Sequence, residues 1–295
     1  MTPSRRGLIL GAGAATLSGP AFADPSDGLA LNGRFVQGGF AMGRAEPRAM
    51  VFIDGEALTT ASAAGLFIVG FDRDAPPSAQ LEVRGQGRVA RRTLSIAPGT
   101  FPSTRINGLP PSTVEPSDPM LLARIQEEIV LKTEGFASRA DADDFRSGFT
   151  WPLDSYRVTS LWGSQRVLNG TPARPHYGID LAAPAGSPIR APANGVVTFA
   201  RAGMHFEGGL TLIDHGQGLI TAYLHQSRID VLPNQRITRG DVIGRVGMTG
   251  RATGPHLCWR MKWRDRNCDP SLMIGESAPE TAYSDGQAFV PRGPG

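Results

Sequence analysis

Short runs of apolar residues, separated by turn residues, dominate the first third of the chain. Two examples are residues 49–53 and 66–69, the first of which is followed directly by Asp54-Gly55. Strands of an antiparallel sheet have this length and these boundaries. The pattern predicts a small antiparallel β domain over residues 24–112. It contains no histidine or cysteine, so we expect it to bind or to cover rather than to catalyse.

A helical pattern follows. Asp118 is suited to cap a helix N-terminus and Pro119 to occupy its first turn, and apolar residues then recur at helical spacing to about Glu134. We predict a helix here that connects two domains, within a linker over residues 113–150.

Strand and turn patterns return after the linker. Residues 151–275 contain repeated apolar runs bounded by glycine, together with all five histidines and both cysteines. We therefore predict a mainly β protein with a second antiparallel β-sheet domain over residues 151–275 and a tail over residues 276–295. Any chemistry is expected in the second domain.

The first 23 residues have the pattern of an export signal. Arg5-Arg6 precedes an apolar run that ends at Ala21-Phe22-Ala23, so cleavage is expected after Ala23. Both twin-arginine and general secretory export stay open, because either type of signal can contain an arginine pair. The run is interrupted by Gly19-Pro20 and is too short to span a bilayer. We expect no stable membrane span after cleavage, and a periplasmic or exported protein.

The charge balance excludes one class of partner. The chain has 30 basic and 27 acidic residues, for a net charge of +3, and loses two of the basic residues with the predicted signal. A nearly neutral chain lacks the basic surface that nucleic-acid binding requires. We therefore expect no nucleic-acid partner.

Two residues near the start of the second domain form a candidate metal site. Pro175 and Gly178 disfavour a helix around His176, so the segment is predicted to be extended. Residues four apart in a strand share a face, which places His176 and Asp180 together. Such a pair is also common in turns and in simple hydrogen bonds.

Further candidates follow the same spacing of two. Cys258 is expected beside His256, and Tyr223 beside His225. Zinc accepts histidine nitrogen, carboxylate oxygen and thiolate sulfur, and a catalytic zinc site has three protein ligands and one open position. The residues therefore suit a Zn²⁺ site.

These motifs, in this order, resemble the lysostaphin-type (LytM-type) zinc metallopeptidases, which cut peptide cross-links in bacterial peptidoglycan. The resemblance extends from about Trp151 to Met273, and the N-terminal β region also resembles the leader domain of some Gram-negative members. The motifs that carry it are Gly163-Ser164-Gln165-Arg166, Asn169-Gly170, His176-Tyr177-Gly178-Ile179-Asp180-Leu181, Ala191-Pro192-Ala193-Asn194-Gly195, Asp214-His215-Gly216, Tyr223-Leu224-His225, Gly247-Met248-Thr249-Gly250 and Gly254-Pro255-His256-Leu257.

The resemblance implies a role for each matching residue. His176 and Asp180 correspond to zinc ligands, and His225 and His256 to the histidines that assist catalysis. The third ligand of the family is a histidine, and its position is occupied by Cys258. A thiolate still completes a three-ligand site, but it makes the site formally neutral, where a third imidazole would leave one positive charge. We expect zinc binding to be retained and hydrolysis to be slower, or shifted to higher pH, than in a relative with a histidine ligand.

Two alternatives for Cys258 stay open. A hairpin turn at Arg264-Asp265 places Met261 opposite Cys268 and leaves Cys258 about 10 Å away, beyond the reach of a disulfide. A turn centred on Trp263 would instead place the two cysteines opposite each other. Cys258 is also a candidate nucleophile with His256 or His225.

Two more residues are candidates for substrate binding. Tyr223 either orients the substrate or fills the strand face, and Arg166 either receives a substrate carboxylate or has a structural role.

The expected function is a zinc metalloendopeptidase of the cell envelope, which the family resemblance implies to be a D,D-endopeptidase, with peptidoglycan as its partner. The alternative is a non-catalytic domain that binds peptidoglycan or activates a cell-wall amidase or division partner. A third hypothesis makes the N-terminal domain an inhibitory cover.

Overall fold

A computed structural model describes residues 28–108, 114 and 116–280. The predicted signal and the tail after residue 280 lie outside the described residues. Within them, strands dominate and neighbouring strands are almost all antiparallel, which confirms the predicted mainly β fold. No helix in these ranges combines the length and the hydropathy needed to cross a bilayer.

The N-terminal strands form two antiparallel sheets. One has the order β1-β2-β5 and the other β4-β3-β6-β7. The strands are β1 (Ala30–Arg34), β2 (Phe40–Arg44), β3 (Met50–Ile53), β4 (Glu56–Thr60), β5 (Leu66–Gly70), β6 (Ser78–Arg84) and β7 (Val89–Ser95).

The predicted helix is present as α1 (Pro119–Phe136), two residues longer than expected. The Asp118 carboxylate accepts hydrogen bonds from the backbone N–H groups of Met120 and Leu121, at 2.8 and 3.1 Å. These are among the backbone donors that the first turn of a helix leaves unpaired. Near its C-terminal end, α1 packs closely on the large C-terminal sheet through Gly135.

The remaining strands build that large sheet and two small ones. The large sheet has the order β18-β14-β15-β16-β20-β12-β9, with β21 paired to β20, and the small ones are β11-β10-β8 and β13-β19-β17. The strands are β8 (Ser103–Ile106), β9 (Arg157–Ser160), β10 (Gln165–Leu168), β11 (Thr171–Pro172), β12 (Ile179–Ala182), β13 (Pro188–Arg190), β14 (Gly195–Met204), β15 (Gly208–Asp214), β16 (Leu219–Gln226), β17 (Arg228–Ile229), β18 (Arg236–Ile237), β19 (Val242–Arg245), β20 (His256–Trp263) and β21 (Arg266–Cys268).

The N-terminal sheets and the large sheet share one hydrophobic core. Buried side chains such as Phe40 and Phe67 belong to the same cluster as Trp259 and Trp263. Gly70, at the end of β5, approaches Cys268 so closely that a Cβ there would lie 2.6 Å from the sulfur. The domain boundaries predicted at residues 112 and 151 stay predictions, but the two parts are not packed as separate bodies. β8 strengthens this connection, because it pairs in parallel with β10.

Candidate metal centre

The paired strands β12 and β20 and the segment before β12 bring the predicted ligands together. In the register of the large sheet, Cys258 on β20 lies opposite Asp180 on β12 and opposite Leu224 on β16. His176 precedes β12 and reaches the same point. One ligand atom from each of His176, Asp180 and Cys258 lies within 4.8 Å of the others, and all three residues are buried. The three residues that the family resemblance implied as ligands therefore lie together, and their role as ligands stays a prediction.

His176 is oriented by hydrogen bonds on both sides. Its Nδ1 lies 3.0 Å from the Ser160 hydroxyl, and its backbone N–H donates to the carbonyl of Ser164 at 2.8 Å. Its Nε2 lies 3.3 Å from Cys258 Sγ and 3.2 Å from Asp180 Oδ1. A hydrogen bond to the remote ring nitrogen is the usual way in which proteins fix a metal-binding imidazole.

Asp180 is ionised although it is buried. Burial alone would raise the pKa of its carboxyl, but the imidazoles of His176 and His256 and the guanidinium of Arg166 lower it to about 2. Arg166 Nη2 donates to Oδ2 at 3.3 Å. The other oxygen, Oδ1, is buried and makes no hydrogen bond within the described residues. A buried carboxylate oxygen without a donor is suited to a cation.

Two further imidazoles flank the cluster, held by main-chain carbonyls. His225 Nδ1 donates to the carbonyl of Thr249, and His256 Nδ1 to that of Gly254, both at 2.8 Å. Because Nδ1 carries the proton, Nε2 of each neutral ring is free to accept one. The two ring centroids are 4.7 Å apart, and His256 Nε2 lies 3.7 Å from Asp180 Oδ1.

Both of these imidazoles are neutral at neutral pH. Burial lowers the pKa of His225 and of His256, and this effect exceeds the opposing influence of the backbone carbonyls and of Asp180. A neutral imidazole with a free Nε2, next to a candidate metal site, can take a proton from a reacting group.

Tyr223 does not lie where its spacing from His225 predicted. It is fully buried on the opposite side of β16 from Leu224, and its hydroxyl contacts Thr221 Oγ1 at 2.9 Å. The physical reason is the backbone of His225, whose φ of 66° breaks the strand alternation. His225 therefore lines the cleft whereas Tyr223 packs in the core. This placement favours the second alternative for Tyr223, in which its side chain fills the strand face.

Within the described residues, the cleft contains three arginines, and the sequence motifs indicated only one of them. Arg166, Arg251 and Arg260 line a cavity of about 200 Å³ that also exposes His176, Asp180, His225 and His256. Arg166 was predicted as a candidate, and Arg260 was missed. The signal for Arg260 was available, since it follows Cys258 by two residues in a predicted strand. Of the N-terminal residues that the structure describes, those lining the cleft and its outer groove are Ile106 and Val114.

The second cysteine lies away from the cluster. Met261 pairs with Cys268 and Trp263 with Arg266, so the hairpin turns at Arg264-Asp265 as the first of the two registers predicted. Both cysteines are free. The disulfide alternative for Cys258 is therefore wrong in this fold, and the thiol remains beside His176 and Asp180.

A donor set of one imidazole, one carboxylate and one thiol fits a metal ion, and the hydrogen-bond vacancy at Asp180 Oδ1 supports that fit. Three such ligands with two neutral imidazoles beside them are typical of metal-dependent hydrolases.

Comparison with known proteins agrees with this class. The model of peptidase family M23 matches residues 174–270. A crystal structure of an M23 peptidase from Pseudomonas aeruginosa is 30% identical with a TM-score of 0.64, over 82% of this chain and 96% of that chain. The chain belongs to peptidase family M23, which confirms the resemblance found in its motifs.

Curated relatives are similar over the second half of the chain. The peptidoglycan DD-endopeptidase ShyA of Vibrio cholerae is 39% identical over 118 residues, which cover 39% of this chain and 27% of ShyA. The DD-carboxypeptidase/endopeptidase Mpg of Neisseria meningitidis is 40% identical over 140 residues, which cover 47% of this chain and 32% of Mpg. The chain thus spans about a third or less of the length of these relatives.

Proposed function

We propose that this protein is a zinc metalloendopeptidase that hydrolyses peptide cross-links of bacterial peptidoglycan. The observation that carries the proposal is the convergence of His176, Asp180 and Cys258 beside the two fixed imidazoles of His225 and His256. The relatives named for peptidoglycan endopeptidase activity support the choice of substrate. By analogy with them, the scissile bond is that between D-alanine and diaminopimelate.

In this proposal His176, Asp180 and Cys258 hold the zinc ion. When bound there, zinc polarises the scissile carbonyl and makes water a better nucleophile at neutral pH. Ser160 fixes the His176 ring, and Arg166 holds the Asp180 carboxylate, so both ligands are oriented before the metal binds. Pre-oriented ligands reduce the cost of ordering the site.

His225 and His256 supply the proton transfers. Each presents a free Nε2 in its neutral form, and in its protonated form each can donate a hydrogen bond to negative charge that develops on the substrate. Two imidazoles on adjacent strands serve these two steps without a glutamate base.

The arginine side chains of the cleft are suited to bind an acidic peptide. Arg166, Arg251 and Arg260 line the cleft, and Glu207 is paired with Lys132 of α1. The stem peptides of peptidoglycan carry free carboxylates, which arginine binds in bidentate geometry. Such a substrate places the enzyme outside the cytoplasm, in agreement with the predicted export signal.

Digestion of cross-linked peptidoglycan tests the proposal. We expect residues 24–295, loaded with zinc, to release uncross-linked muropeptides, and expect a chelator to abolish the release. His225→Ala and His256→Ala should each reduce the rate at least about 100-fold with zinc content unchanged, because they remove proton transfer but no ligand. Unchanged rates in both variants would contradict the assigned roles.

The replacement of a ligand histidine by Cys258 favours one alternative, a non-catalytic domain that binds peptidoglycan or activates an amidase. The same digestion separates the two functions. The activator is supported if the zinc-loaded chain releases no muropeptide yet stimulates a cell-wall amidase. The combined substitution Ile106→Ala and Val114→Ala in the full chain tests the inhibitory cover, which requires faster cleavage by this variant than by the unmodified chain.

A further inference from the structure

Arg260 lies beside Cys258 on the face of β20 that lines the cleft. Its Nε donates a hydrogen bond to Cys258 Sγ at 3.4 Å. The two residues are two positions apart in the strand, so their side chains project to the same side of the sheet. The hydrogen bond therefore follows from regular strand geometry and requires no unusual backbone.

Cys258 Sγ is the hydrogen-bond acceptor of this guanidinium. No carboxylate of the described residues lies within 4.0 Å of the Arg260 nitrogens. Arg166, in the same cleft, differs in this respect, because its guanidinium contacts Asp180 Oδ2 at 3.3 Å. A half-buried arginine without a carboxylate needs another anion, and a metal-bound thiolate is one.

The fold makes room for the contact between Arg260 and Cys258. Gly178 faces the pair from the segment before β12, and a Cβ at this position would lie 2.7 Å from Cys258 Sγ and 2.9 Å from Arg260 Cγ. Glycine thus allows the guanidinium to approach the sulfur. The thiol, its donor and the space for both belong to one arrangement.

The charge of the site explains what this arrangement does. A zinc ion with one carboxylate, one imidazole and one thiolate is formally neutral, whereas a third imidazole would leave one positive charge. Building on the proposed zinc site, we infer that Arg260 is the positioning residue of Cys258. It donates a hydrogen bond to the sulfur and adds a positive charge beside the thiolate. With a histidine in place of Cys258, the site would already have that charge. Cysteine as a ligand and arginine two residues later then work as a pair.

Such a pair is tested by a double-mutant cycle. The four proteins are the unmodified chain, Arg260→Gln, Cys258→His and the double variant, with Arg260→Lys as a fifth that keeps the charge. The first readout is the sulfur-to-cobalt charge-transfer band of the cobalt(II)-loaded proteins, with circular dichroism as a folding control. The second readout is kcat/KM on cross-linked peptidoglycan fragments.

We expect Arg260→Gln to move the charge-transfer band to lower energy, because loss of the N–H donor leaves more electron density on the sulfur. In the protein with Cys258, we expect Arg260→Gln to lower kcat/KM about tenfold, and in the Cys258→His protein less than about twofold. Arg260→Lys should lower kcat/KM less than Arg260→Gln does. The inference would be overturned by any of three results: a band that does not move in Arg260→Gln, no sulfur-to-cobalt band in the unmodified chain, or equal losses of kcat/KM with Cys258 and with the introduced histidine. If none of the proteins cleaves peptidoglycan, the proposed function fails, and the position of the band still decides the role of Arg260.

Discussion

Gly178 is required because the side chains of Cys258 and Arg260 lie close to it, and not because its backbone adopts a conformation that favours glycine. Its φ lies outside the left-handed region, so alanine could adopt the same conformation, but a methyl group would collide with Cys258 and Arg260. The glycine between the two proposed metal ligands His176 and Asp180 therefore leaves space for the third, Cys258.

We expect Gly178→Ala to weaken zinc binding about tenfold or more, because the methyl group displaces the sulfur or its hydrogen-bond donor. Competition with a chromophoric chelator measures the change. Gly87→Ala is the matched control, since its Cβ would meet no atom within 4 Å. Equal affinities of the Gly178 variant and the control would show that the contact is not needed.

His215 makes stability depend on pH. It is fully buried, its Nδ1 donates to the carbonyl of Asn194 at 2.6 Å, and its Nε2 contacts Thr221 Oγ1 at 2.8 Å. Burial lowers its pKa from 6.5 to about 4. Between these values the unfolded chain binds more protons, so the stabilising contribution of the neutral ring is complete above 6.5 and is lost as the pH falls towards 4.

We expect His215→Asn, which keeps a donor but cannot titrate, to lose stability at neutral pH and to have a flatter pH profile. The difference in free energy of unfolding between the two proteins should shrink by about 2 kcal/mol from about pH 7.5 to about pH 5. Urea unfolding at both values measures it. Parallel profiles of the two proteins would exclude His215 as the cause.

Sequence reasoning succeeded for residues whose geometry follows from regular strands and failed where the backbone departs from them. His176 and Asp180 lie together as predicted, whereas Cys258 joins them through the pairing of β20 with β12, which the family resemblance implied and local spacing alone does not show. Tyr223 was misplaced because nothing in the sequence showed the positive φ of His225. Arg260 follows Cys258 by two residues in a strand, so its place in the cleft was predictable from the same alternation.

At the scale of elements, α1 supports a hairpin that supports the site. Glu128 Oε2 accepts the backbone N–H of His205 at 2.8 Å, at the turn between β14 and β15. The carbonyl of Glu207 in the same turn accepts the backbone N–H of His225 at 2.8 Å. The helix was predictable from its cap and its periodicity. Its contact with the hairpin was not, because Glu128 and His205 are 77 residues apart in the sequence.

We expect Glu128→Gln to reduce the free energy of unfolding by about 1 to 3 kcal/mol, because a buried carboxylate that accepts hydrogen bonds from His205 and Arg124 is replaced by a neutral amide. Glu127→Gln is the matched control, since Glu127 is the neighbouring, exposed residue of the same helix. Chemical denaturation of both variants measures the effect, and similar losses in both would refute a specific role for Glu128.

At the scale of the whole molecule, the shared core predicts that both halves unfold together. All four tryptophans, Trp151, Trp162, Trp259 and Trp263, lie in the second half, so their fluorescence reports that half, whereas far-ultraviolet circular dichroism reports both. We expect the two probes to give coincident denaturation curves. A dichroism transition that precedes the fluorescence transition would show that the N-terminal sheets unfold alone.

The chain pattern predicted the mainly β fold correctly, and the division into two domains stays a prediction. Alternating apolar residues reveal that a strand is half-buried, but they do not reveal which sheet covers it. Gln217, for example, donates from the large sheet region to the carbonyl of Leu66 on β5 at 2.7 Å. The parallel pairing of β8 with β10 joins segments about 60 residues apart and likewise leaves no local signal.

The reactivity of Cys268 reports how often the shared core opens. The thiol is fully buried under the end of β5, where it donates a weak hydrogen bond to the carbonyl of Phe71, and burial raises its pKa to about 12. An alkylating reagent can therefore modify it only while the N-terminal sheet has separated from β21. When bound metal protects Cys258, the rate at which Cys268 is alkylated therefore measures how often the two halves of the molecule separate.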